Sequence, residues 1–295
     1  MKIGVSSYSF QRLIGAGSET QLSVIRRAAE LGFDAIEFTD LQPHDGSSEA
    51  DYAAQLHDEA ARCGIEISAY AVWADLLGGC GGDLAAETER LCRKVDVAAI
   101  LGAKILRHDA AFGFPGARGY RGFASVLPRL TEGCRTVTAY AAEKGIKTAV
   151  ENHGTFCQDS DRVELLVNTV AHDNFGLLVD MGNFLCADEN PAAAVGRTAP
   201  YAVHVHAKDF LRKTAEQPDP GEGFIITRGG TRLRGTVLGH GVVPVKSCLL
   251  ALREAGYDGT VSLEFEGAEE VDYGLRAGLA YLRRMLAELL SLIHI

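Results

Sequence analysis

Apolar positions along the chain alternate between two spacings. Short apolar runs rich in β-formers are each followed by a longer stretch whose apolar residues recur at helical intervals. Residues 2–8 (KIGVSSY) lead into 19–31, where Leu22, Ile25, Ala28, Ala29 and Leu31 form one stripe and Gly32 stops the helix. The order repeats in 35–38 (AIEF) with 48–63 and Gly64, then 65–72 (IEISAYAV) with 84–101 and Gly102. It continues in 104–108 (KILRH) with 123–144 and Gly145. In the second half, 146–151 (IKTAVE) precedes 162–170, and 176–180 (GLLVD) precedes a short helix at 191–196. Residues 202–207 (AVHVHA) precede an irregular stretch and then 244–255, and 260–266 (TVSLEFE) precede 271–290.

Eight strand–helix pairs predict a closed parallel α/β barrel, the (β/α)8 TIM barrel, as one domain over residues 1–295. The strands are continuously apolar, as suits strands covered on both faces. A doubly wound open sheet is the alternative. It usually carries GxGxxG or GxxxxGK[ST] after a strand, and the chain has neither. The run Gly78-Gly79-Cys80-Gly81-Gly82 reads as a loop. Residues 209–243, rich in glycine and carrying Arg228, Arg232 and Arg234, read as one long loop over the face where the strands end.

Composition narrows the partners. The net charge of −10 works against nucleic acid or an anionic membrane. No apolar run reaches the roughly 18 residues of a membrane span, and the first residues, MKIGVSSYSF, do not read as an export signal. The seven cysteines show no CxxC spacing, so reduced thiols in a cytoplasmic protein are expected rather than a disulfide framework.

Candidate chemistry sits at the strand ends. Glu151, Asp180, His206 and Glu264 lie in or just after four consecutive apolar runs: TAVE, LLVD, HVH and SLEFE. Burying a carboxylate there is costly unless it is paired or holds a cation. Carboxyl ends of barrel strands converge on one mouth, so these groups are expected to meet. Three carboxylates and an imidazole suit one divalent ion with open positions, Mn²⁺, Co²⁺, Mg²⁺ or Zn²⁺. The competing view of any single one is a cap or an ion-pair partner.

At these positions the chain resembles the xylose-isomerase-like barrel superfamily, the group of sugar phosphate isomerases and epimerases. The matching pieces are Gly32-Phe33-Asp34-Ala35-Ile36-Glu37, Val150-Glu151-Asn152-His153 and Val179-Asp180-Met181-Gly182-Asn183. His204-Val205-His206-Ala207-Lys208-Asp209 and Gly239-His240-Gly241 belong to the same set. The resemblance implies that Glu151, Asp180, His206 and Glu264 bind one divalent metal, Mn²⁺ first among the candidates, with Glu151 and Glu264 also acting as acid and base. The chain departs from the ketose epimerases at Asn183, where they carry histidine, and at Cys157, where they carry a second glutamate. His153 is then expected as a third catalytic group. Glu37, Trp73, His108, Asn183, Lys208 and Arg234 are expected to bind substrate, and Glu266 competes with Glu264 for the eighth-strand position. The DNA-endonuclease branch uses additional histidines that this chain lacks.

The leading expectation is a metal-dependent sugar or keto-sugar isomerase or epimerase working by proton removal next to a carbonyl. The alternative is a lyase with the same first step, either an inosose-type dehydratase or an enzyme cleaving a C- or O-linked group from a 3-keto-glycoside. A non-catalytic sugar-binding or partner subunit is the third. The expected partner is a small sugar, and a homo- or hetero-oligomer is compatible. The C-terminal LSLIHI receives no function.

Overall fold

The computed structural model describes residues 1–113 and 122–291. Residues 292–295 of the C-terminal LSLIHI lie outside them. Eight parallel strands close a barrel: β1 (Lys2–Ser6), β2 (Ala35–Thr39), β3 (Glu66–Val72), β4 (Ile105–His108), β5 (Lys147–Glu151), β6 (Phe175–Asp180), β7 (Ala202–Ala207) and β11 (Thr260–Leu263), with β11 closing onto β1. β8 (Asp209–Lys213), β9 (Ile225–Ile226) and β10 (Arg232–Thr236) lie outside the barrel. Among the described residues, no helix is long and apolar enough to cross a membrane.

The helix stops follow the glycine grammar. Gly32, Gly64 and Gly102 take φ of 95°, 68° and 80°, a region that L side chains with a Cβ avoid. Two strands end sooner than their apolar runs. β1 gives way at Ser7 to a 3₁₀ turn, started where the Ser6 hydroxyl accepts from the Tyr8 N–H at 3.3 Å. β11 ends at Leu263, although the Glu264 N–H still donates to the Ala207 carbonyl at 3.1 Å. After β6, a short helix Asn183–Cys186 precedes the expected one, which runs Pro191–Thr198.

The stretch 209–243 is not an irregular loop. β8, β10 and β9 form an antiparallel sheet in which Asp209 pairs with Thr236 and Lys213 with Arg232. Side chains tie this sheet to the barrel. Asp188 accepts from the Thr227 hydroxyl and the Gly229 N–H, both at 2.6 Å, and Arg228 pairs with Asp159. At its base, buried Asp209 accepts from the N–H groups of Phe210, Gly239, Gly241 and Val243, each at 2.9 Å. Gly241 is required there, because a Cβ would fall 2.2 Å from the Asp209 carboxylate.

Candidate active site

Parallel register brings the strand ends to one level: Glu151 ends β5, Asp180 ends β6 opposite His206 of β7, and Glu264 follows β11. One donor atom from each of the four lies within 4.8 Å of the others. His206 Nδ1 is the hub, 3.7 Å from Glu151 Oε1, 3.7 Å from Asp180 Oδ2 and 3.6 Å from Glu264 Oε1. It is fully buried and makes no hydrogen bond among the described residues. A buried imidazole nitrogen facing three carboxylate oxygens, without a hydrogen bond, is what a divalent cation would satisfy once any proton there is displaced. The donor set therefore fits such an ion.

Neighbouring groups orient these four side chains. Glu37, at the end of the β2 apolar run, sits fully buried between two imidazoles. Its Oε2 lies 2.7 Å from His204 Nε2 and its Oε1 2.6 Å from His206 Nε2. A proton on His206 Nε2 facing Glu37 would leave Nδ1 as the atom directed at the three carboxylates. Burial alone would raise the Glu37 carboxyl, but the two imidazoles hold it well below the usual range. Asn152 grips the Asp180 backbone through both amide atoms, at 2.8 and 2.9 Å. Asp180 Oδ1 accepts from the Gly182 and Asn183 N–H groups at 2.7 and 2.9 Å, so Oδ2 is turned toward the cluster.

Glu151 is held from both sides. Asn183 Nδ2 donates to its Oε1 at 3.0 Å and Arg107 Nε to its Oε2 at 2.6 Å. The same guanidinium grips both oxygens of Asp109, at 3.1 and 2.8 Å. Asp109 Oδ1 in turn lies 2.7 Å from His153 Nδ1. Burial opposes a charged His153, but the Asp109 hydrogen bond and the Glu151 charge raise its pKa above 6.5. Lys208 reaches Asp180 Oδ2 and Glu266 Oε1, each at 3.2 Å, and also contacts Glu264. Burial pushes the Glu264 carboxyl up to about 7 despite the Lys208 and His206 charges.

These groups open into a cavity of about 340 Å³. The chain matches the xylose isomerase-like TIM barrel family over residues 25–285. It belongs to that family. The inosose dehydratase of Lacticaseibacillus casei is 27% identical over 154 residues, 50% of this chain and 51% of that protein. The chain thus aligns with about half the length of the curated relatives it matches. Two solved structures superpose over nearly the whole chain. A xylose isomerase-like TIM barrel protein from Mycobacterium smegmatis, in complex with magnesium, gives a TM-score of 0.73 at 20% identity, covering 98% of this chain and 97% of that one. The 3-keto-D-glucoside 4-epimerase of E. coli gives 0.70 at 18%, covering 96% and 99%. At these identities both establish the fold.

The expected substrate residues divide. Glu37, Trp73 and Lys208 line the cavity, as does His153, expected as a catalytic group, and so does Glu266, which faces Lys208 rather than the four-residue cluster. Trp73 stands half exposed at the rim, stacked on Phe112 at 6.0 Å and 9°. Asn183 lines a neighbouring cavity. His108 does not reach the mouth: it is fully buried, with Nδ1 2.8 Å from the Asp109 carbonyl. Strand side chains alternate between faces, so with Arg107 and Asp109 directed inward, His108 points outward. Arg234 lies in a separate cleft, over the Phe224 ring. Arg107 and Asp109 went unrecognised as site residues. Their two-residue spacing in Arg107-His108-Asp109 was the available signal, because it puts a cation and an acid on one strand face.

Proposed function

We propose that the chain is a divalent-metal-dependent enzyme that removes a proton from the carbon next to the carbonyl of a sugar or keto-sugar, and returns it as an isomerase or epimerase. The observation carrying this is the four-residue cluster around the otherwise unsatisfied His206 Nδ1. Glu151, Asp180, His206 and Glu264 would hold the ion, Mn²⁺ first among Mn²⁺, Co²⁺, Mg²⁺ and Zn²⁺. Bound there, the metal would supply Lewis-acid stabilisation of the negative charge that develops on the substrate oxygens. Glu151 and Glu264 border the cavity and can take and return the proton, with Arg107 and Asn183 fixing the Glu151 carboxylate. Lys208 can hold a substrate oxygen.

A second reading, a lyase, is favoured by one observation: His153 faces the same cavity with its Nδ1 tied to Asp109. It would take the proton on Nε2. As the C–H bond breaks, a carbon–carbon double bond forms and the bond to the β-substituent breaks, the substituent leaving with its electron pair and acquiring a proton. The inosose dehydratase relatives suit this outcome.

The test is a panel of sugars, keto-sugars and keto-glycosides, run in D₂O with Mn²⁺, Co²⁺ or Mg²⁺ and with a chelator, beside Glu151→Gln and His153→Ala. Metal-dependent deuterium incorporation without further mass change supports the isomerase, and release of water or an aglycone supports the lyase. Sugar binding that is indifferent to the chelator, with no exchange anywhere in the panel, refutes both.

A further inference from the structure

We infer that Lys208 is the cation this site carries while no metal is bound, and that its ammonium passes to Glu266 when a divalent ion enters. This rests on the metal-site reading above. It adds two residues that set the affinity of the site without belonging to the four-residue cluster, Glu266 acting through Lys208 as a positioning residue.

Asp180 has one oxygen to offer. Its Oδ1 accepts from the Gly182 and Asn183 N–H groups, which leaves Oδ2. That Oδ2 faces His206 Nδ1 at 3.7 Å within the cluster, and Lys208 Nζ lies 3.2 Å from the same atom. Glu264 is divided instead: Oε1 faces His206 Nδ1 at 3.6 Å, while Oε2 contacts the ammonium. Lys208 is only 4% exposed, so carboxylates rather than water balance its charge. Two of the four proposed ligands therefore already serve a monovalent cation. An ion bonded to Asp180 Oδ2 and an ammonium paired with it are like charges in a buried place, where water screens little. The tethered one has to withdraw.

The fold limits how it can do so. Ala207 ends β7, and Asp209 opens β8 with its carboxylate fixed by four backbone N–H groups. The backbone at 208 is thus anchored on both sides, and the side chain is the part free to move. Its stem runs past Gly182, where a Cβ would fall 3.0 Å from Lys208 Cγ.

Glu266 is placed to receive the ammonium. Its Oε1 already lies 3.2 Å from Nζ, so Lys208 can release two carboxylates and keep the third. The Glu266 side chain is 29% exposed, and its carboxylate lies outside the ligand cluster. Both residues stand where the metal-facing cavity of about 340 Å³ meets the neighbouring one of about 430 Å³. Paired with Glu266, Nζ still borders the metal-facing cavity and can hold a substrate oxygen. The two residues then act on metal affinity in opposite directions. Lys208 opposes the ion, and Glu266 favours it by drawing Lys208 away.

The test is titration of the metal-stripped full chain with Mn²⁺ against a chromophoric chelator, with circular dichroism to check folding. Wild type is compared with Lys208→Met, Lys208→Gln, Glu266→Gln and the Lys208→Met/Glu266→Gln double variant. Both neutral variants at 208 should bind Mn²⁺ at least about tenfold more tightly than wild type. Glu266→Gln should bind about threefold more weakly, and should change nothing in the Lys208→Met background. The metal-free Lys208→Met protein should melt below wild type and gain more on adding Mn²⁺, because its carboxylates have lost their cation. Equal or weaker binding by the folded neutral variants overturns the inference. The same loss from Glu266→Gln in both backgrounds also overturns it, since Glu266 would then act on the ion directly. Glu266 is partly exposed, so Glu266→Gln stays informative even if Lys208 proves essential for folding: wild-type affinity in that variant overturns the inference. Absence of Mn²⁺ binding in wild type and all variants refutes the metal-site reading, and the inference with it.

Discussion

Replacing Glu37 by glutamine tests whether the proposed metal site of Glu151, Asp180, His206 and Glu264 depends on a residue outside that set. The carboxylate faces two imidazole Nε2 atoms, at 2.7 Å from His204 and 2.6 Å from His206. Glutamine has nearly the same shape, so packing is retained. It offers one acceptor oxygen and one donor NH₂ where the carboxylate offers two acceptors. The imidazole that meets the NH₂ must present its Nε2 lone pair and carry its proton on Nδ1. If this is His206, the protonated Nδ1 no longer ligates. If it is His204, His206 keeps a partner but loses the negative charge that raises its basicity. Mutating such outer partners of metal ligands typically lowers affinity about 10- to 100-fold, or roughly 1.4–2.7 kcal/mol. Titration of the apo-protein with Mn²⁺ against a chromophoric chelator measures it, with circular dichroism to check folding. A folded Glu37→Gln protein binding Mn²⁺ within twofold of wild type refutes the tautomer argument.

Arg107→Met should destabilise the fold by about 3–5 kcal/mol in urea unfolding, because it leaves two buried carboxylates, Asp109 and Glu151, without their cation; a loss under 1 kcal/mol would contradict this. Asp209→Ala should cost about 2–3 kcal/mol by the same measurement, since four backbone N–H groups lose their acceptor. Metal affinity should rise with pH through neutrality. Burial pushes Glu264 up to about 7; burial would lower His206, but Glu37 and Glu264 raise it well above 6.5. Both therefore retain protons near pH 7 that an incoming cation must displace. Calorimetry in buffers of different ionisation enthalpy should count at least one proton released at pH 7, and none would refute the assignment.

Local pattern alone carried the barrel. Each strand–helix pair announces itself through spacing, and glycines at positions such as 32, 64 and 102 mark the helix stops because only a residue without a Cβ takes that conformation readily. The cluster was also readable, since an acid or imidazole closing an apolar run is locally costly and parallel strands end at one mouth. Other features depended on contacts between distant segments. Which way Arg107 and His108 point is a matter of strand parity, set by register against the neighbouring strands. That Glu37 serves His204 and His206 is a contact across the barrel, 167 residues apart for His204. The sheet within 209–243 arises because residues 209–213 pair with 232–236, a long-range match that no window along the chain contains. Sequence periodicity specified the elements, because each is decided by neighbours in the chain. Tertiary structure decided which side chains share a cavity, because that depends on register and closure.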